Sequence, residues 1–268
     1  MSNEVELTGV PETMLWTLHN RAAEATRSGG ILHDADCVRI YDSIAYDYQH
    51  NFGKPDGTHA QRARIFDDAV CGWLAENPSG TVVELGAGLE TQFQRCDNGT
   101  VNWVCVDVEE SIAVRERFLP AGPRCRHIAC SALDLAWLDH ISPGPVFITA
   151  QGLFMYFDEP DVRTLVTAIV GRLPGVQLMF DAIPPWFSRK TMKGFAKTRN
   201  YTAPPMPWGI KRDDLSALLC GWSPRIKYVE VGNFGPPRGP LAVLLPVFER
   251  TPVLRNIPPV IARVLTAA

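Results

Sequence analysis

The segment Val82-Val83-Glu84-Leu85-Gly86-Ala87-Gly88 reads as a β-strand that carries an acid near its end and then breaks into a G-x-G turn. Gly86 and Gly88 permit backbone conformations closed to other residues and let a ligand approach the main chain. The next β-branched run, 101–106, is followed by Asp107, 21 positions after Gly86. An acid at the end of a strand can accept both hydroxyls of a ribose. Turn and acid together specify an adenosine-type ligand over the carboxyl ends of the strands. The plainer alternative is that Glu84 only caps a turn and Asp107 only a helix.

Outward from this segment the pattern repeats. Strand-like runs lie at 81–85, 101–106, 146–150 and 177–180, with a weaker one at 126–130. Helical segments at 109–118 and 160–172, the second capped by Asp158, alternate with them. Such alternation predicts a parallel sheet with helices on both faces. A short helix from Asp213 and strands near 226–231 and 242–248 close the sheet.

Ahead of the first strand lies helical material. Pro11 and Glu12 suit a first turn, with Leu15, Leu18, Ala22 and Ala25 following before Gly29-Gly30 stops the helix. Asp34 caps a second helix to about residue 45. Thr58 caps a third, which presents Ala63, Phe66, Val70, Trp73 and Leu74 on one face and ends at Asn77-Pro78. Residues 1–78 are therefore expected to form a helical cap and 79–268 the α/β core. Within the core, 184–209 is rich in proline and aromatic residues, including Pro184-Pro185-Trp186 and Pro204-Pro205-Met206-Pro207-Trp208-Gly209. A loop this long usually covers a site. It is expected to act as a lid, over 184–211 at its widest, or else to pack permanently on the core.

Composition narrows the class. The chain has 268 residues, 46% hydrophobic and 21% charged, with a net charge of −3, which excludes disorder, collagen and coiled coil as main readings. No apolar run reaches the roughly 18 residues that span a bilayer. The N-terminal segment, with Glu4, Glu6 and Glu12, lacks a basic-then-apolar pattern. A soluble cytoplasmic protein with no membrane partner is the expectation. The seven cysteines show no C-x-x-C and the six histidines no H-x-x-x-H, so reduced core thiols and no metal are expected. Residues 1–188 carry 13 Lys/Arg and 25 Asp/Glu, whereas 189–268 carry 13 and 4. The basic C-terminal region either faces an anionic ligand or docks on the acidic part of the same chain. Slightly negative charge and the lack of a D/N-P-P-Y/F motif argue against a nucleic-acid partner.

The turn itself separates two cofactor chemistries. A nicotinamide or flavin needs a third glycine, so that a pyrophosphate can meet the helix N-terminus. Thr91 stands at that position. S-adenosylmethionine has no phosphate. Its ammonium needs carbonyls and acids, and its carboxylate needs a cation. Glu84, two residues before the first glycine, favours this second ligand.

With these features in place, VVELGAGLETQFQR (82–95) is similar to the leucine carboxyl methyltransferase family, especially its bacterial branch resembling the tetracenomycin polyketide O-methyltransferase. Ile31-Leu32-His33-Asp34, HAQRARIFD (59–67), the stretch 103–115, SALDLAW (131–137) and AQGLFMY (150–156) continue the resemblance, which covers roughly residues 8–210. It implies a class I (Rossmann-like) methyltransferase: an α/β fold with a seven-stranded, mostly parallel sheet, a helical N-terminal cap and an inserted lid. It implies S-adenosyl-L-methionine as cofactor, with Arg62 on the methionine carboxylate. Gly86, Ala87 and Gly88 would line the methionine end beside Glu84, Gln151 and Gly152. Asp107 would take the ribose and Val108 the adenine face, with Ser131, Ala132, Leu133 and Asp134 around the adenine edge. The chain departs from the family pattern at Ala35, Glu90, Gln92 and Gln151, where the family has Pro, Asp, Arg and Glu. Gln151 removes a charge next to the sulfonium. Arg64, two residues from Arg62, does not share its helix face, and a plain surface role for Arg62 stays open.

The expected reaction is in-line transfer of a methyl group to oxygen. The protein aligns the partners at about 3 Å and removes water from the nucleophile. The acceptor is read as the carboxylate or phenolic hydroxyl of a small aromatic or polyketide-like metabolite. A carboxylate needs no base, whereas a phenol near pKa 10 is helped by one. His33 is the candidate base by position, or a plain helix-flanking residue. Tyr156, Trp186, Met206 and Trp208 are expected to line the acceptor pocket. Alternatives are a non-catalytic binding protein on the same fold, a carboxyl methyltransferase acting on a protein C-terminus, and a nicotinamide oxidoreductase.

Overall fold

The computed structural model describes residues 4–235, 250–252 and 254–267. At the centre of the sheet, β1 (Thr81–Leu85) lies between β2 (Asn102–Asp107) and β4 (Val146–Ala150), parallel to both. Val83 sits opposite Val104 on one side and Ile148 on the other. All five residues of β1 are buried, which its apolar composition requires. β3 (Cys125–Ala129) extends the sheet beyond β2, and β5 (Gln177–Ala182) extends it beyond β4. The chain leaves β1 toward β2 and β3 and returns to β4 on the other side. The turn after β1 therefore opens at the topological switch point, where ligands collect over the strands' carboxyl ends.

The sheet closes differently from the sequence expectation. The run 242–248 lies outside the described residues. Residues 260–266 instead form β9 (Val260–Thr266), inserted antiparallel between β5 and β8 (Ile226–Asn233). The order is β3-β2-β1-β4-β5-β9-β8, seven strands. β9 follows a proline pair, and its partners are remote in sequence, so local pattern does not reveal it.

Helices cover both faces. α4 (Thr58–Glu76) presses Phe66, Val70, Trp73 and Leu74 onto Val82, Trp103 and Phe147. α6 (Glu109–Phe118) follows β2. α7 (Glu159–Arg172) buries Val162, Leu165, Val166 and Ile169 on the other face. Burial of each such side chain contributes about 1.5–3 kcal/mol. The cap consists of α1 (Thr13–Ala25), α2 (Ala35–Ser43) and α3 (Tyr48–Phe52) around Leu15, Leu18, Ile40 and Phe52. The Asp34 carboxylate accepts from the Cys37 N–H at 2.8 Å, which fixes the start of α2. α3 is too short to show helical periodicity. α4, assigned to the cap by sequence, forms a layer of the sheet, and Leu89 and Phe118 from the core join the cap's own cluster.

The proline-rich stretch is more ordered than a loop. It contains α8 (Pro185–Met192) and a small hairpin of β6 (Phe195–Ala196) and β7 (Thr202–Ala203). Proline at the first helical position lacks only an N–H that would be unpaired there anyway. Tyr201 and Ala203 pack in the cap cluster, while Trp208 packs in the sheet cluster. The stretch thus straps cap to core.

Candidate active site

Gly86 and Gly88 both adopt positive φ, +67° and +44°. A Cβ on Gly88 would lie 3.1 Å from the Met14 Cβ, so α1 rests directly on the turn. Beneath it, the fully buried Arg115 of α6 donates to the Gly88 and Glu90 carbonyls at 3.0 and 2.7 Å. Asp107 pins the turn from the side. Its Oδ2 accepts from the Gly88 N–H at 2.7 Å and its Oδ1 from the Val108 N–H at 2.8 Å. Burial raises the Asp107 pKa against the opposing pull of those N–H groups. Each carboxylate oxygen keeps acceptor capacity toward the cleft, as a ribose requires. Glu84 is turned beneath the turn. Its Oε2 accepts from the Trp103 indole at 3.2 Å, and burial drives its pKa well above the usual carboxylate range.

Met14, Glu84, Gly86, Gly88 and Asp107 line one wall of a cleft of about 460 Å³. Ala87, Val108, Ser131, Ala132, Gln151 and Gly152 line it with them. Arg62 enters from α4, 6% exposed, with its Nη1 3.1 Å from Asp181 Oδ2. Asp181 also accepts from the Gly152 N–H at 2.5 Å. Gly152 has φ +66°, which favours glycine, and a Cβ there would stand 2.8 Å from the Arg62 Nη1 and displace the guanidinium. The Arg62 Nε and both polar atoms of the Gln151 amide are buried without a hydrogen-bond partner. Unsatisfied polar groups facing a cavity mark the place of a polar ligand. A cation, an acid for a ribose and a bare turn are what S-adenosylmethionine needs, so the residues fit it.

The far end of the cleft is apolar. Met155, Tyr156, Ile183, Phe187 and Met206 form one cluster there. Burial pushes the Tyr156 hydroxyl up to about 12, so it stays protonated.

Several expected residues lie elsewhere. His33 is exposed and outside the cleft. Trp186 is 46% exposed and donates its indole N–H to the Ile257 carbonyl at 2.9 Å. Trp208 is buried against Phe154 and Phe180 in the sheet core. Leu133 packs on that same core, and the exposed Asp134 caps a short 3-10 helix through the Ala136 N–H at 3.1 Å. The described basic residues of the C-terminal region are not among those that line the cleft. Lys197 lies 3.9 Å from Asp56 and over the Trp16 ring, and Arg255 pairs with Asp213 at 2.7 Å. Among the described residues, the cation that lines the cleft is Arg62.

The cleft also holds groups that the sequence reading does not single out. Asp181 lies one residue before the end of β5 and Asp107 ends β2, and an acid at the carboxyl end of a strand is the signal that finds it. His59 stands three residues before Arg62, hence on the same face of α4, and it lines the cleft. Arg115 carries no local signal. Cys105, Cys125 and His127 bring metal-ligand atoms within 4.8 Å of one another. There Arg115 Nε donates to His127 Nε2 at 3.3 Å, so a guanidinium charge already occupies the position a cation would take.

The fold and the site define a class I S-adenosylmethionine-dependent methyltransferase. Among solved structures, the N-methyltransferase NodS of Bradyrhizobium japonicum WM9, in complex with S-adenosyl-L-homocysteine, aligns with 96% of this chain and 100% of its own at a TM-score of 0.50 and 11% identity, a likeness of fold. No protein-family model matches the chain. The tetracenomycin polyketide synthesis O-methyltransferase TcmP of Streptomyces glaucescens is 32% identical over 214 residues, 78% of each chain. The S-adenosyl-L-methionine-dependent methyltransferase dpfgK of Gibberella zeae is 29% identical over 204 residues, 67% of this chain and 68% of its own. The chain belongs to the TcmP family of O-methyltransferases, and its cofactor is S-adenosyl-L-methionine.

Proposed function

We propose that this enzyme methylates the carboxylate of a small aromatic or polyketide-like acid. The observation that carries the reading is the two-part cleft. A polar half is built from Asp107, Gly88 and Arg62, and an apolar half from Met155, Tyr156, Ile183, Phe187 and Met206. A flat apolar ligand suits the second half. When bound, the cofactor supplies a methyl group on positively charged sulfur. Arg62 holds its carboxylate and Asp107 its ribose, while Ser131 and Ala132 face the adenine. The 184–209 strap, through Phe187 and Met206, covers the acceptor and keeps water out.

Of the two oxygen acceptors, the carboxylate is favoured because it arrives ionised. Tyr156 is held protonated, and His33 stands outside the cleft. The polyketide association of TcmP supports the acceptor class. No nucleic-acid or membrane partner belongs to the reading. The net charge is −3, and no described helix is long and apolar enough to cross a membrane. The seven free cysteines support a reducing, cytoplasmic setting.

Calorimetry with S-adenosylhomocysteine, comparing wild type with Asp107→Ala, tests the cofactor half. A charged hydrogen-bond acceptor is worth about 1.5–3 kcal/mol, so roughly tenfold to a hundredfold in affinity is expected to be lost. Labelled S-adenosylmethionine with a panel of aromatic acids and phenols tests the acceptor. Base-labile label is an ester, base-stable label is an ether, and transfer only to nitrogen or carbon overturns the oxygen assignment.

A further inference from the structure

His59 is the histidine that lines the cleft, and its ring is held by a side chain of unusual kind for such a position. Its Nδ1 lies 2.9 Å from the Nδ2 of Asn20, on α1. The orientation of that amide is set by Asp56 from two sides. Asn20 Nδ2 donates to the Asp56 carboxylate at 3.3 Å, and Asn20 Oδ1 accepts from the Asp56 N–H at 3.3 Å. Turning the amide over would set oxygen against carboxylate and N–H against N–H. The group facing His59 is therefore the NH₂, a pure donor. His59 Nδ1 must accept, and the ring proton resides on Nε2.

In a histidine that serves as general base the arrangement is reversed. A carboxylate accepts from Nδ1–H and leaves Nε2 free to take a proton. Here the carboxylate is present, as Asp56, but Asn20 stands between it and the imidazole. We propose that Asn20 locks His59 as a neutral Nε2–H donor in the cleft wall, one helical turn from Arg62, where it hydrogen-bonds an acceptor oxygen that is already anionic and cannot deprotonate a hydroxyl. Asn20 is the positioning residue and His59 the specificity-setting one. The inference rests on the reading of this cleft as the acceptor site.

The surroundings act in the same direction. A second proton on His59 would have to enter at Nδ1, against the Asn20 NH₂. Burial lowers the His59 pKa to about 3, Arg62, Arg21 and Lys197 add to that, and Asp56 alone opposes it. The Trp16 ring packs edge-on against the imidazole at 5.6 Å between centroids.

Long-range proton–nitrogen NMR on the full-length protein labelled at histidine nitrogen reads the tautomer directly, with His59→Gln assigning the signal. The expected result is a single neutral Nε2–H form from pH 8 down to pH 5. An Nδ1–H form, or a protonation midpoint above pH 6, overturns the proposal. In Asn20→Asp the carboxylate should draw the proton to Nδ1 and raise the midpoint by more than one unit, a tenfold change or more in proton affinity. An unchanged tautomer in that variant overturns the locking role of Asn20. The measurement is made without ligands. Its failure is therefore distinct from failure of the methyltransferase reading, which is scored by homocysteine-analogue binding and label transfer.

Discussion

Helix α4 and strand β5 meet through Arg62 and Asp181, whose charged groups lie 3.1 Å apart in the floor of the cleft. Both side chains are almost wholly buried, at 7% and 3% exposure. The pair costs desolvation of two charges, and at such depth it is poor evidence of stabilisation. Its geometry has a functional meaning instead. Asp181 is the anion that Arg62 holds, and the Gly152 N–H shares it.

If Arg62 takes the cofactor carboxylate, as proposed above, that carboxylate competes with Asp181 for it. In Asp181→Asn, Arg62 keeps its charge and loses its protein anion. S-adenosylhomocysteine should then raise the melting temperature by more in the variant than in wild type. An equal or smaller shift would separate Asp181 from the cofactor end. Arg62→Ala should lower affinity for the same ligand by about tenfold or more.

The cap is tied to the glycine turn by Arg95, which lies 2.6 Å from Asp34, 2.6 Å from Asp67 and 2.8 Å from Glu90. Burial pushes the Glu90 pKa up, but Arg21 and Arg95 outweigh it and hold the group down to about 2. Arg95→Met leaves three buried carboxylates short of a partner. Urea denaturation should show a loss of about 3–5 kcal/mol. A loss under about 1 kcal/mol would mean that the cluster is solvated, like a surface pair.

His59 gives the fold an acid sensitivity of predictable sign. Burial first, then Arg62, lowers its pKa from 6.5 to about 3. Between those values the unfolded chain binds the proton and the folded chain does not. Its contribution is thus fully present above pH 6.5 and is lost progressively as pH falls toward 3. At pH 5 the cost is on the order of 2 kcal/mol. Denaturation at pH 7 and pH 5 should show that difference in wild type, and His59→Gln should remove it.

Met206 and Trp208 are two residues apart and serve different purposes. Met206 lines the cleft, whereas Trp208 packs in the sheet core. Met206→Ala should raise KM for the acceptor with little change in S-adenosylhomocysteine affinity. Trp208→Ala should cost about 3–5 kcal/mol of stability, while the molecules that remain folded bind cofactor normally. The reverse assignment of effects would place the acceptor on the other side of the strap.

The strand, acid and glycine turn were legible because their meaning is local. Gly86 and Gly88 need positive φ whatever surrounds them, and Asp107 reaches the turn because β2 lies beside β1. β1 and β4 match their sequence runs residue for residue, since buried parallel strands are continuous apolar runs bounded by turns. β9 was not legible. A strand of mixed character at the end of a chain acquires its identity from partners brought to it by the rest of the fold.

By itself the sequence determined the α/β sheet, the glycine turn with Asp107 at its side, and the cofactor class, because each depends on backbone geometry and residue type within a short span. Only the tertiary structure decided which side chains complete the cleft. Asp181 reaches Arg62 across 119 positions, and Asn20 reaches His59 across 39. The Trp208 backbone N–H donates to the Met155 carbonyl at 3.3 Å and the Ile210 backbone N–H to the Ile183 carbonyl at 2.9 Å, which fixes the path of the strap and leaves the Trp208 ring in the core. Such contacts follow from the packing of whole elements against one another, and no pattern within a single element encodes them.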